Sequence, residues 1–191
     1  MNAKRKQSGF SLIELLVAMA LFLTAMLIAT DIFVSVSGRQ QKTLARQRAI
    51  NELRYDMYFL TQQIKANRID YDMFVEPLKV VEQQLFLKDK NEKAIIFKVD
   101  GTNCPAGTAK CLSYFKENVG WKVLSSLAVD FDFVKFYIKP DRNPLDLDKA
   151  TGEYASNDQS VVTIVLQAFA PSDPEKKINL QTTVSSRVYG R

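Results

Sequence analysis

From Phe10 to Val36 the chain carries only two charged residues, Glu14 and Asp31, and neither proline nor glycine. About 20 predominantly apolar residues are enough for a helix to cross the hydrocarbon core of a bilayer. With nothing to break it, the run predicts one continuous helix, because a helix satisfies its own backbone groups where water is absent. The change into this run is abrupt. Residues 1–9 are polar and basic, with Lys4, Arg5 and Lys6, and the apolar sequence starts at Phe10.

Composition removes many alternatives. The 191 residues include no histidine, which excludes a histidine triad, a histidine general base and any histidine-ligated metal. Two cysteines cannot form a four-cysteine zinc site. Apolar residues make up 47%, with 7 glycines and 6 prolines, so collagen-like and fully disordered classes are also excluded. The net charge is +5, but Lys4, Arg5 and Lys6 supply three of those charges, so a nucleic-acid partner is not expected.

Two ordinary readings compete for the apolar run. A secretory signal has an apolar core of about 7–15 residues and a small-residue cleavage site. This run is longer and no Ala-x-Ala site follows it. A plain single-pass anchor explains the length but not Glu14. A carboxylate in hydrocarbon costs roughly 2.5–3.5 kcal/mol and usually marks a function. Alternatively, Glu14 lies at headgroup level, where it complements the positive end of the helix.

The stretch GFSLIELLVAMALF, residues 9–22, resembles the N-terminus of type IV pilins and type II secretion pseudopilins. The resemblance implies a prepilin peptidase that cuts after Gly9 on the cytoplasmic side and N-methylates Phe10. Glu14 then stands at the fifth mature position, one helical turn from the new amine. It implies that Glu14 pairs with the Phe10 amine of a neighbouring subunit when the helices bundle, satisfying two buried charges and fixing axial register. It further implies a single-pass precursor in the cytoplasmic membrane with an extracytoplasmic head. Charge alone leaves orientation open, since Arg39, Lys42, Arg46 and Arg48 follow the span as Lys4, Arg5 and Lys6 precede it.

The helix is expected to continue beyond the apolar run. Ile50, Leu53, Met57, Leu60 and Ile64 recur at spacings of three and four, an apolar stripe whose plain reading is core packing. No proline occurs before Pro77, so a helix from about Phe10 to Ala66 is expected, roughly 85 Å long. Many major pilins have a proline where this chain has Asp31. With Gly38 as a soft point and a large head, this departure suggests a minor subunit.

After Pro77 the pattern becomes β-rich. Leu78–Leu87 and Lys93–Val99 read as a hairpin, and LSYFK and WKVL around ENVG read as a second, with Gly120 available for positive φ. The aromatic run LAVDFDFVKFYI shifts phase near Val134, where a bulge is expected. VVTIVLQAFA and INLQTTVSSRV are the last two strands, joined by a proline-containing turn. The fold class is therefore α+β: a long helix packed on an antiparallel head, the lollipop shape of pilins. The organisation is a leader over 1–9, a membrane or filament-core helix over 10–37, and an amphipathic helix with a β-rich head over 38–191. The C-terminal half is similar to J-type minor pseudopilins and W-type minor pilins.

Cys104 and Cys111 flank the short loop PAGTAK. In the extracytoplasmic head implied by the resemblance they are expected to form a disulfide worth roughly 2–3 kcal/mol, the alternative being two thiols. Their spacing excludes a CxxC redox motif. The longest apparent loop, residues 139–159, is acidic. Asp146, Asp148 and Glu153 are calcium candidates because hard oxygen ligands suit that ion, but the EF-hand spacing is missing. A solvated contact loop is the better reading, and no cofactor is expected.

The expected function is structural: a minor pilin or pseudopilin of a type II secretion pseudopilus or a type IV pilus. Its partners would be other subunits, prepilin peptidase and an inner-membrane assembly platform. The competing class is a membrane-anchored binding module or enzyme unrelated to pili. Without histidine, an enzyme would need a carboxylate pair, a lysine or a cysteine, and no convergent set is visible.

Overall fold

The computed structural model describes residues 11–74, 81–102, 104–144, 146 and 158–186. Helix α1 runs unbroken from Leu12 to Ala66, through Gly38, for 55 residues. It ends where Asn67 takes over the terminal carbonyl contacts. The Asn67 N–H and its Nδ2 both donate to the Gln63 carbonyl, at 3.0 and 2.8 Å. Strand β1 (Arg68–Ile69) and a 3-10 turn (Tyr71–Met73) follow, both short elements that propensity does not announce.

The strands are β2 (Gln84–Lys88), β3 (Ala94–Asp100), β4 (Cys111–Lys116), β5 (Gly120–Val123), β6 (Asp130–Lys139), β7 (Val161–Ala170) and β8 (Asp173–Ser185). They form two antiparallel sheets, one of order β1-β2-β3-β4-β5 and one of order β6-β7-β8. The fold class is α+β, as the sequence indicates, but the head holds two sheets. By internal contacts the chain divides into two compact units, up to Thr43 and from Leu44 onward.

Within the second unit, one stripe of α1 packs on the sheets. Ala49, Leu53, Met57, Leu60 and Ile64 are buried among Leu85, Leu87, Ile95, Phe97, Leu112, Val134, Phe136, Ile164 and Leu166. Ile50 is only partly buried. Phe59 stands edge-on to Phe97 at 6.2 Å and tilts against Tyr114 at 5.7 Å. β7 alternates half-buried and buried residues along its length, the pattern of a central strand with one face on the core.

Several expectations need correction. Leu78–Leu87 is not one strand paired to β3. Only Gln84–Lys88 pairs there, while Glu82 bridges to Phe136 of β6 with hydrogen bonds of 2.9 and 2.8 Å. The segment therefore links the two sheets. β6 starts at Asp130, and its register shift lies between Phe131 and Phe133, just before Val134, because Phe131 and Val134 both point into the core. β8 starts at Asp173, five residues before Ile178, and includes Pro174. An edge strand tolerates a proline that lacks a donor. In the β4–β5 hairpin Gly120 has φ 80°, as expected, and Asn118 shares the left-handed region at φ 77°.

Polar ties fix the end of α1 to the head. Lys88 reaches Asp70 at 2.8 Å and Asp72 at 3.2 Å, and the Asp70 contact holds its ammonium pKa above the usual lysine range. The Ser186 hydroxyl donates to the Asn67 carbonyl at 3.0 Å, and the Tyr71 hydroxyl donates to Ser160 at 3.0 Å. Burial raises the Tyr71 phenol pKa.

Candidate functional site

The first candidate is the start of α1. Ser11-Leu12-Ile13-Glu14 has the Ser-x-x-Glu form of a capping box, a signal visible in the sequence that its resemblance to a processing site masks. The Glu14 carboxylate accepts the Ser11 N–H at 3.3 Å and lies in the first helical turn, where negative charge meets the positive helix end. Gly9, Phe10, Lys4, Arg5 and Lys6 lie outside the described residues.

The walls of this site are the apolar side chains themselves. Every large apolar residue from Leu12 to Val36 is between 46% and 79% exposed. Both threonine hydroxyls of this stretch are turned inward. Thr24 Oγ1 donates to the Leu21 carbonyl at 2.9 Å and Thr30 Oγ1 to the Met26 carbonyl at 2.8 Å. Such back-bonding hides the polar groups, as an apolar solvent requires. α1 is long and apolar enough near its N-terminus to cross a membrane.

The second candidate is the disulfide loop. Cys104 and Cys111 are bonded, with Cα atoms 5.5 Å apart, and Cys111 is fully buried at the start of β4. The Asp130 carboxylate accepts the N–H groups of Ala109 and Lys110, both at 2.9 Å. The loop is thus tied to the beginning of β6. The sequence shows Asp130 only as a polar position in an aromatic strand; its role depends on a partner 20 residues away.

The acidic loop offers less. Asp146 is exposed and its N–H donates to the Asn143 carbonyl at 3.2 Å, while Asp148 and Glu153 lie outside the described residues. Among the described residues no group of three or more His, Cys, Asp or Glu side chains is placed to hold a metal ion.

One acid was not singled out by the sequence. Asp56 lies on the packed stripe of α1, is 1% exposed, and neither carboxylate oxygen has a hydrogen-bond partner. Burial, with Glu52 one turn away adding repulsion, pushes its pKa up to about 7. In sequence it sits beside Met57 with nothing to separate it from a solvated acid.

Comparison with known proteins adds one finding. The family model described as prokaryotic N-terminal methylation motif matches residues 4–30. The match covers the basic leader, Gly9, Phe10, Glu14 and the first part of the apolar helix, and supports a type IV pilin-like chain processed at its N-terminus. The motif is one of structural rather than catalytic proteins. No curated protein and no solved structure matches the chain.

Proposed function

We propose that this chain is a minor pilin or pseudopilin, a structural subunit of a type II secretion pseudopilus or type IV pilus. The observation that carries the reading is the methylation motif over residues 4–30, set on a helix whose large apolar side chains from Leu12 to Val36 are all exposed. Prepilin peptidase cuts after Gly9 and methylates the amine of Phe10. The leader charges Lys4, Arg5 and Lys6 leave with residues 1–9. In the precursor, Glu14 caps its own helix through Ser11. In the filament it neutralises the Phe10 amine of a neighbouring subunit, so two charges enter an apolar core as a pair.

The precursor is held by residues 10–37 in the inner membrane, with the domain from 38 to 191 on the extracytoplasmic side. An oxidising compartment agrees with the Cys104–Cys111 disulfide. Partners are other subunits, the peptidase and the assembly platform. The minor role rests on Asp31 and the large head, and the J-type or W-type likeness on the aromatic β6 and the closing strands β7 and β8.

The test is intact mass and N-terminal sequencing of the protein from membranes of cells with and without prepilin peptidase. Loss of residues 1–9 with one methyl group on Phe10, only when the peptidase is present, is expected. An uncut N-terminus in both cells would overturn the reading and leave a plain membrane anchor. Cleavage near Gly38 would also overturn it, in favour of a secreted protein.

A further inference from the structure

Sheet edges expose unpaired N–H and C=O groups, and proteins usually guard them with charge, proline or brevity. The β8 edge is guarded in this way, with Pro174, Glu175, Lys176 and Lys177 exposed along its first half. The β5 edge differs. Among the described residues, the exposed large apolar side chains outside α1 are Met73, Val119, Trp121 and Leu127, and the last three belong to β5 or its flanks. Trp121 is 44% exposed, Val119 48% and Leu127 61%.

Backbone parity shows what this edge offers. The Leu124 N–H donates to the Leu112 carbonyl at 2.8 Å, and the register pairs Lys122 with Tyr114 and Val123 with Ser113. Hydrogen-bonded pairs alternate along an antiparallel ladder, so Lys122 bonds to β4 while Trp121 and Val123 direct their N–H and C=O groups away from it. The side chains of these same two residues lie on the sheet face opposite Tyr114, which packs against Phe59 of α1. There they line a pocket of about 70 Å³ with Lys98, Asp100, Thr102 and Ser113. Phe115 packs against the Trp121 ring at 5.5 Å and Lys98 Nζ sits 4.2 Å from its centre, with Lys98 ion-paired to Asp100, so the aromatic wall is held in place.

An open backbone edge beside a pocket on the same two residues is what strand addition uses: main-chain bonds supply affinity, and a pocket for alternate side chains supplies selectivity. We infer that β5 receives an extended segment of a neighbouring subunit, which hydrogen-bonds the Trp121 and Val123 backbone and places a side chain in the pocket beside Trp121. The exposed Lys122 on β5, which also lines the pocket, calls for an acidic residue in that segment. The partner's identity as a subunit rests on the function proposed above; the edge itself does not.

The experiment is amide hydrogen exchange on the full chain. Detergent-solubilised monomer is compared with the assembled complex isolated from membranes. The Trp121 and Val123 amides are expected to exchange at least tenfold more slowly in the complex. The variant Val123→Pro removes a donor that β4 does not use, so its melting should match the parent while its incorporation falls at least tenfold. Should it fail to fold, exchange on the parent chain still decides. Unchanged exchange at Trp121 and Val123 in a formed complex, or protection confined to β8, would sink the inference and leave the subunit reading standing. A processed or unprocessed chain that forms no complex at all would instead overturn the subunit reading, and this inference with it.

Discussion

The two halves of α1 share one helix, yet Glu14 and Asp56, one acid from each, meet opposite fates. Between Leu12 and Val36 the helix is apolar around almost its whole circumference and none of the described residues covers it, while Glu14, one of its two acids, is exposed and bonded to Ser11. Between Leu44 and Ala66 only one stripe is apolar, and it is covered, while Asp56, one of its two acids, is buried with no hydrogen-bond partner among the described residues. An all-round apolar helix needs an apolar solvent supplied from outside the molecule, whereas a striped helix finds its solvent in its own sheets. Glu14 therefore has room for a partner from another chain. Asp56 has none, and burial raises its pKa to about 7.

The largest expected effect is at Glu14. Glu14→Ala should abolish incorporation into the filament, by more than about 100-fold, while the precursor is still cleaved and remains abundant; immunoblots of sheared filaments against whole membranes measure both. Normal incorporation would break the comparison, because the exposed acid would then have no role. Leu60→Ala should lower head stability by about 3 kcal/mol, as expected for a fully buried leucine, whereas Leu27→Ala should leave head unfolding in detergent unchanged. Equal effects would show that the two halves are not distinct environments.

A smaller loss, about 2–3 kcal/mol, is expected when Cys104 and Cys111 are both replaced by serine, read as a shift in the denaturation midpoint of the full chain. The bridge closes a short loop that Asp130 also holds, so the fold should survive. A pH-dependent effect sharpens the comparison most. The pKa of Asp56 is raised from an ordinary value near 3.8 to about 7, so the native state binds the proton more tightly than the unfolded chain. Its contribution to stability is fully present below the unfolded value and is lost as pH rises through the native one. Asp56→Asn should thus gain stability at pH 8, gain nothing near pH 3.5, and flatten the melting profile between pH 4 and 7. A profile as steep as that of the parent would place the titrating group elsewhere.

Much of this was legible from residue order. The helix end at Ala66, the stripe of Leu53, Met57, Leu60 and Ile64, the β4–β5 hairpin and the final strand pair all follow from spacing and turn residues, which act over a few positions. The Ser11–Glu14 box is also legible, overlapping the processing motif. What failed did so through distance. Glu82 leaves its expected strand because Phe136, 54 residues on, offers a backbone partner. Asp130 serves a loop it does not adjoin, and Trp121 and Val123 form an open edge only because sheet order ends there.

The sequence by itself determined the class of most elements and the N-terminal motif, because helix period, alternation, turn chemistry and an unbroken apolar run are properties of neighbours along the chain. Only the tertiary structure decided which polar groups would be solvated, paired or stranded. Desolvation depends on what arrives from elsewhere in the chain. It is the difference between Glu14 and Asp56, two acids of similar chemistry on one helix.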